Sequence, residues 1–259
     1  MSKLRNIVRG CVLDVLGAVS KPAPGVHILN GHMIARGEAQ QAHAEAFRRM
    51  LQQLSESVEF IRFEEAARMI AAGHYPDRPL VAFSFDDGFT DCADMICPVL
   101  EDYGVNAALF INPNFVEGDE AYIRHFTEST VLTPGKRPMR WDVVRRLRDR
   151  GHVIGAHTLD HYMINTDDSC ELSRQIVGSK EAIERNLGAP CQHFAFPYGR
   201  LEHANRTAID IACRSFDYVY SQSDYKHYTS FEGRVINRRH FEPFWKIGHV
   251  RYFLSCHKK

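Results

Sequence analysis

The chain has 259 residues, 44% of them hydrophobic and 25% charged, which suits one globular domain with a sizeable core. Lys plus Arg and Asp plus Glu stand at 32 each, so no net field recruits nucleic acid and no basic block stands out. Seven Cys, an odd number with no close CxxC pair, argue against a disulfide framework and fit reduced thiols in a cytosolic protein.

At the N-terminus Lys3, Arg5 and Arg9 precede an apolar stretch from Cys11 to Val19, an outline like a signal peptide. Asp14 within that stretch and Lys21-Pro22 after it argue against export, so a cytoplasmic location is expected. Leu4, Ile7, Val8, Cys11, Val12, Val15, Leu16 and Val19 recur at helical spacing. They predict an extra amphipathic helix packed on the domain, with peripheral contact at the inner face of a membrane as a minor alternative. No apolar run is long enough to span a bilayer.

After the turn Lys21-Pro22-Ala23-Pro24-Gly25, Val26 to Leu29 reads as a strand and Glu38 to Leu54 as a helix. Predicted strands then alternate with predicted helices: strands at Val58 to Arg62, Leu80 to Phe85 and Val105 to Ile111, helices at Phe63 to Ala72 and Asp91 to Tyr103. Asn112 to Pro138 is too long and polar for a plain connection and reads as an insertion loop, a candidate lid or substrate loop. Beyond it come a helix from Trp141 to Arg150, a strand from His152 to Ala156, and a long helix whose apolar face is marked by Leu172, Ile176, Ile183 and Leu187. A strand at His193 to Phe196, a helix at His203 to Cys213, strands at Asp217 to Tyr220 and Arg234 to Asn237, and a helix from Pro243 to Cys256 complete the order. The alternation predicts an α/β domain, either a parallel barrel or an open sheet.

In either architecture functional residues gather at the carboxyl ends of strands. Three chemically loaded segments fall there. Phe85-Asp86-Asp87-Gly88 places two adjacent carboxylates where an apolar strand emerges, a costly position unless they are solvated, hydrogen-bonded or bound to a metal. His157-Thr158-Leu159-Asp160-His161 spaces two imidazoles at i and i+4, which from a helical turn project the same way. Pro197-Tyr198-Gly199 follows the strand at His193 to Phe196. One carboxylate plus two imidazoles is a standard open zinc site.

Phe85-Asp86-Asp87-Gly88, His157-Thr158-Leu159-Asp160-His161 and Phe196-Pro197-Tyr198-Gly199, in this order, resemble the first three motifs of the polysaccharide deacetylase (NodB-homology) family of metal-dependent carbohydrate esterases. Gly104 to Ile111 and Gly151 to His157 are similar to that family's connecting text, and the resemblance runs from Val26 to about Tyr220. It implies a distorted (β/α) barrel, with Asp87, His157 and His161 as metal ligands and Asp86 as catalytic base. The metal would be one divalent ion, Zn²⁺ by default for this donor set, with Co²⁺, Ni²⁺ or Fe²⁺ fitting the same ligands. The resemblance also gives the backbone N–H of Tyr198 an oxyanion-hole role. Pro197 would rigidify the substrate loop, and Trp141 could flank a sugar ring.

Two departures stand out. The Arg that orients the base in many members is Ala195 here, and the late Leu-x-His that usually supplies the general acid is absent. His240 is the first candidate acid and His32 the second. The expected reaction is removal of an N-acetyl or N-formyl group from an amino sugar of a glycan or its precursor, such as an O-antigen or capsule intermediate. A non-catalytic carbohydrate-binding member of the same fold is the alternative. A metal-dependent phosphoryl hydrolase fits poorly, because that chemistry wants acidic residues at alternate positions and Asp86 and Asp87 are adjacent.

Overall fold

The computed structural model describes residues 12–13, 15–17, 19–199, 203, 205–222, 224 and 226–259; the first half of the expected N-terminal helix, residues 1–11, lies outside them. The apolar runs form the strands: β1 (Gly25–Gly31), β2 (Glu59–Phe60), β3 (Pro79–Phe85), β4 (Ala107–Ile111), β5 (Val153–Ala156), β6 (His193–Ala195), β7 (Tyr218–Ser221), β8 (Thr229–Ser230), β9 (Val235–Asn237) and β10 (Arg239–His240). They join one sheet in the order β10-β1-β3-β4-β5-β6-β7-β9-β8, with β2 also on β3. All pairs are parallel except β8 with β9.

One stretch of chain closes the sheet. Tyr220 and Ser221 of β7 pair with Ile236 and Asn237 of β9, whereas Leu29 and Asn30 of β1 pair with Arg239 and His240 of β10. Arg238 sits at the break between them, so the chain carries the sheet from its last parallel strand back to its first. The result is the distorted barrel, the first of the two architectures the alternation allowed.

Strand parity separates inside from outside. Val26, Ile28, Leu80, Ala82, Ala108, Phe110, Ala195, Tyr220 and Ile236 form the interior cluster. Their neighbours Leu29, Val81, Phe83, Phe85, Ala107 and Leu109 face outward and pack beneath the helices. The helices are α1 (Gln41–Ser55), α2 (Phe63–Ala71), α3 (Cys97–Glu101), α4 (Pro113–Glu117), α5 (Glu120–His125), α6 (Trp141–Asp149), α7 (Ser169–Leu187), α8 (Arg206–Ser215) and α9 (Ile247–Leu254); α2 differs in packing Phe63, Ala66, Ala67 and Ile70 on the interior cluster. The helix expected from Asp91 to Tyr103 opens instead with a wide π turn, Cys92–Ile96, in which Cys97 N–H bonds the carbonyl of Cys92. Pro98 is the reason: it has no N–H for a regular α turn at this point.

The stretch from 112 to 138 is not an open loop. It folds into α4, α5 and a π turn, Phe126–Thr130, around its own apolar cluster of Met33, Phe89, Phe115, Ile123 and Phe126. Phe115 and Phe126 stack at 4.0 Å, and the buried pair Lys136 Nζ to Asp91 Oδ2, at 2.6 Å, ties its far end down. At the N-terminus Gly17 lies against α9 so closely that a Cβ there would sit 1.8 Å from the Gly248 carbonyl oxygen. Val15 and Val19 on the same segment are 70% and 81% exposed. No described helix is long and apolar enough to cross a membrane.

Candidate active site

Every group at this site leaves the carboxyl end of a strand. His32 follows β1, Asp86 and Asp87 follow β3, His157 follows β5, Tyr198 follows β6, Gln222 follows β7, and Arg238 and Glu242 flank β10. The parity that sends Leu80, Ala82 and Ser84 into the barrel also sends Asp86 inward, capping the interior. There Arg238 meets it with two hydrogen bonds, Nη1 donating to Oδ1 at 2.8 Å and Nη2 to Oδ2 at 2.9 Å. Asn30 Nδ2 donates to Oδ2 as well, at 2.9 Å, and Arg238 also donates to Asn30 Oδ1 at 2.6 Å. The guanidinium lies 4.8 Å from the Phe110 ring, so both charges are buried but each is paired. Burial alone would raise the Asp86 pKa; Arg238 and His157 hold it well below the usual carboxylate range. Arg238 therefore supplies the guanidinium that the sequence motif lacks at Ala195. Ala195 contributes through its backbone, its carbonyl accepting a hydrogen bond from His157 Nδ1 at 2.8 Å.

That bond makes Nδ1 the protonated nitrogen of His157 and leaves the Nε2 lone pair free. Nε2 lies 3.8 Å from Asp87 Oδ1, and His161 Nε2 lies 3.5 Å from the same oxygen. All three residues are buried, and their ligand atoms fall within 4.8 Å of one another. Asp87 Oδ1 has no hydrogen-bond partner among the described residues. Burial pushes the Asp87 pKa up to about 7 and pulls His157 down to about 4. A buried carboxylate without a donor, facing two neutral imidazoles, is a donor set for a divalent cation.

The backbone at this cluster is not helical. Asp87 (φ 70°), Thr158 (φ 62°), His161 (φ 55°) and Tyr198 (φ 60°) all sit in the left-handed region, where a non-glycine residue costs roughly 1–3 kcal/mol. The expected helical turn for the two imidazoles is thus replaced by a strained loop, and surrounding side chains hold it. Asn112 Nδ2 donates to the carbonyls of His157 and Thr158. Asp160 accepts from Asn114 Nδ2 at 2.6 Å, the Tyr122 hydroxyl at 2.7 Å and Gln175 Nε2 at 2.8 Å, joining the insertion and α7 to the residue beside His161.

A second cluster flanks the first. His32 Nδ1 lies 2.7 Å from Glu242 Oε1, and its backbone N–H donates to Glu242 Oε2 at 3.2 Å. Burial would lower the His32 pKa, but the Glu242 carboxylate overrides it and raises it to about 10. His32 is therefore an imidazolium at neutral pH, and it lines the cavity with Glu242. His240 does not line it: it stands behind His32, ring centroids 5.5 Å apart, and packs on Trp245. Burial and the His32 charge lower its pKa to about 4. Of the two candidate acids, His32 lines the cavity and His240 does not.

The cavity measures about 450 Å³ and is walled by Asp86, Asp87, His157, His161, His32 and Glu242, with Tyr198, Gly199 and Gln222 on one side and Thr130 to Thr133 of the insertion on another. Tyr198 packs its ring 4.6 Å from His161. A Cβ at Gly199 (φ 63°) would lie 2.4 Å from the Gln222 side chain, so only glycine fits there. Gln222, which sequence reasoning missed, buries a side-chain Nε2 with no partner among the described residues. Pro197 and Trp141, expected at the substrate, do not reach the cavity. Pro197 is buried beneath its turn, and Trp141 packs on the main core while its Nε1–H donates to Glu117 Oε1 at 2.9 Å.

Comparisons with known proteins agree with this fold. The family model for polysaccharide deacetylase matches residues 73–218. The chain is 24% identical over 191 residues to the YxkH protein of Bacillus subtilis (strain 168), covering 73% of this chain and 62% of that one. It is 30% identical over 119 residues to the chitin deacetylase of Colletotrichum lindemuthianum, covering 46% and 42%. The chain thus spans less than two thirds of the length of each of these relatives. Its fold is similar to IcaB from Ammonifex degensii, with TM-score 0.70, 18% identity, and coverage of 92% of this chain and 100% of that one. It is also similar to the Streptococcus pyogenes deacetylase PplD, with TM-score 0.68, 18% identity and coverage of 90% and 99%. The strand-end motifs, the curled barrel-like sheet and the matched segment together make this chain a member of the polysaccharide deacetylase family.

Proposed function

We propose that the protein hydrolyses the N-acetyl (or N-formyl) amide of an amino sugar in a glycan or glycan precursor, using one divalent ion held by Asp87, His157 and His161. The observation that carries this reading is the unpartnered, buried Asp87 Oδ1 facing two neutral imidazoles, one residue from an ionised Asp86. Zn²⁺ suits this donor set best, and Co²⁺, Ni²⁺ or Fe²⁺ would fit it. When bound, such an ion polarises a carbonyl and makes water acidic enough to attack at neutral pH.

Each remaining step falls to a residue of this chain. Asp86, kept ionised by Arg238, accepts the proton of the attacking water. The backbone N–H of Tyr198 donates to the oxyanion that develops on the acyl carbon. His32 gives its proton to the sugar nitrogen as the C–N bond breaks, releasing a free amine and a carboxylate. Arg238 also weakens the binding-only alternative, by replacing the guanidinium missing at Ala195; the absent Leu-x-His acid motif is that alternative's other support. The exposed row Val12, Val15, Leu16 and Val19 supports action at a membrane surface, on a precursor of a surface polysaccharide such as O-antigen or capsule, on the cytoplasmic side.

The test is acetate release from N-acetylhexosamine oligomers by the purified protein. Release that stops on chelation, returns with Zn²⁺ and is lost in Asp86→Asn is expected; release indifferent to chelator would overturn the reading.

A further inference from the structure

The charges around the cavity do not balance within the chain. Three carboxylates line it: Asp86 is paired with Arg238, Glu242 with His32, and Asp87 faces the two neutral imidazoles with which it would hold a cation. Arg36 lines the same cavity without a counterpart. Its guanidinium makes no hydrogen bond or ion pair among the described residues; its one contact is the face of the Phe244 ring, 5.8 Å away, and Phe244 lines the cavity too. The opposite wall, Thr130 to Thr133, offers it no acid.

Nor is Arg36 on a free tail. Met33, Ile34 and Ala35 before it are buried, the Ile34 N–H donates to Asp91 Oδ2 at 3.1 Å, and Asp91 is itself clamped by Lys136. Arg36 itself is exposed, so its guanidinium stands at the rim of the cavity on a backbone anchored just before it, where it is free to meet a planar or tetrahedral oxyanion.

Resting on the deacetylase reading above, we infer that the substrate carries an oxyanion, a phosphate or a carboxylate close to the acylated amino sugar, and that Arg36 is the residue that selects it. A neutral homopolymer of N-acetylhexosamine would then be the poorer substrate.

The experiment compares three sugars of equal length: N,N′-diacetylchitobiose, its 1-phosphate, and a disaccharide of N-acetylglucosamine with a hexuronic acid. Affinity is read by calorimetry on Zn²⁺-loaded Asp86→Asn protein, and kcat/KM on the wild type. One charge-assisted contact should favour the anionic sugar by about tenfold to a hundredfold, and Arg36→Gln should bring the ratio to near one, mainly through KM. Arg36→Lys should restore part of the ratio. The phosphate and carboxylate arms identify which oxyanion is read. Equal affinity for neutral and anionic sugars, or a preference that survives Arg36→Gln, would overturn the inference. Binding selectivity that depends on Arg36 without any turnover by the wild type would uphold it and sink the hydrolase reading instead.

Discussion

Two clusters of carboxylate and imidazole stand side by side at the mouth of this barrel, and they are opposites. Asp87, His157 and His161 bring ligand atoms within 4.8 Å of one another, as do His32, His240 and Glu242. In the first, neither imidazole carries the extra proton: both are neutral, and Asp87 Oδ1 has no donor among the described residues. In the second, a proton already does the work of a cation, in the 2.7 Å contact of His32 with Glu242. The difference lies in the hydrogen bonds behind each ring. The carbonyl of Ala195 takes the Nδ1 proton of His157 and aims its lone pair at the site, whereas Glu242 holds His32 in its charged form. Similar residues thus leave an unpartnered carboxylate between two neutral imidazoles in one place and an imidazolium on a carboxylate in the other.

The comparison can be broken at several points. The largest effect is expected for Asp86→Asn, a general-base loss of about 10²–10⁴ in kcat with the ion still bound, read by steady-state kinetics and elemental analysis. Arg238→Met comes next. It leaves Asp86 buried and unpaired, so thermal or denaturant unfolding should show a loss of roughly 3–5 kcal/mol, and turnover should fall with it. Adding Ala195→Arg should recover part of both, because Ala195, Phe110 and Tyr220 line the interior space that Arg238 enters.

The proton-donor cluster is tested by pH. His32 is raised to about 10 by Glu242, so the acid form persists through neutrality and is lost only as pH rises through that value. Glu242→Gln removes the largest raising charge and leaves burial opposed only by the smaller pull of Asp87 and Asp86, so the pKa falls. The alkaline limb of kcat/KM should therefore move to lower pH, and an unmoved limb would exclude His32 as the acid. The smallest effect is expected at Asp160, which braces the left-handed backbone of His161. Asp160→Asn should weaken metal affinity by about tenfold, the low end for an outer-shell partner, measured by competition with a chelator.

Much of the site was legible because its motifs are local. An apolar strand ending in Asp86-Asp87 and a strand followed by His157 and His161 can be read within a few residues each. Arg238 could not be placed that way, lying 152 positions from the Asp86 it serves. Its signal was faint but present: Ile236 points into the barrel, and Arg238 shares its parity. The helical reading of the two-histidine motif failed because tertiary bonds from Asn112 and Asp160 hold Thr158 and His161 at positive φ. The insertion read as a loop because its apolar residues are sparse, yet Phe115, Phe126 and Phe89 meet only in three dimensions. Trp141 drew a sugar-binding expectation from its residue type alone, and its indole is used for packing.

The ion is expected in one cluster and the proton in the other. Metal content after Zn²⁺ loading, measured on wild type, Asp87→Asn and Glu242→Gln, tests this division most directly. One ion per chain is expected in wild type and in Glu242→Gln, and none in Asp87→Asn. An ion retained by Asp87→Asn and lost from Glu242→Gln would contradict it.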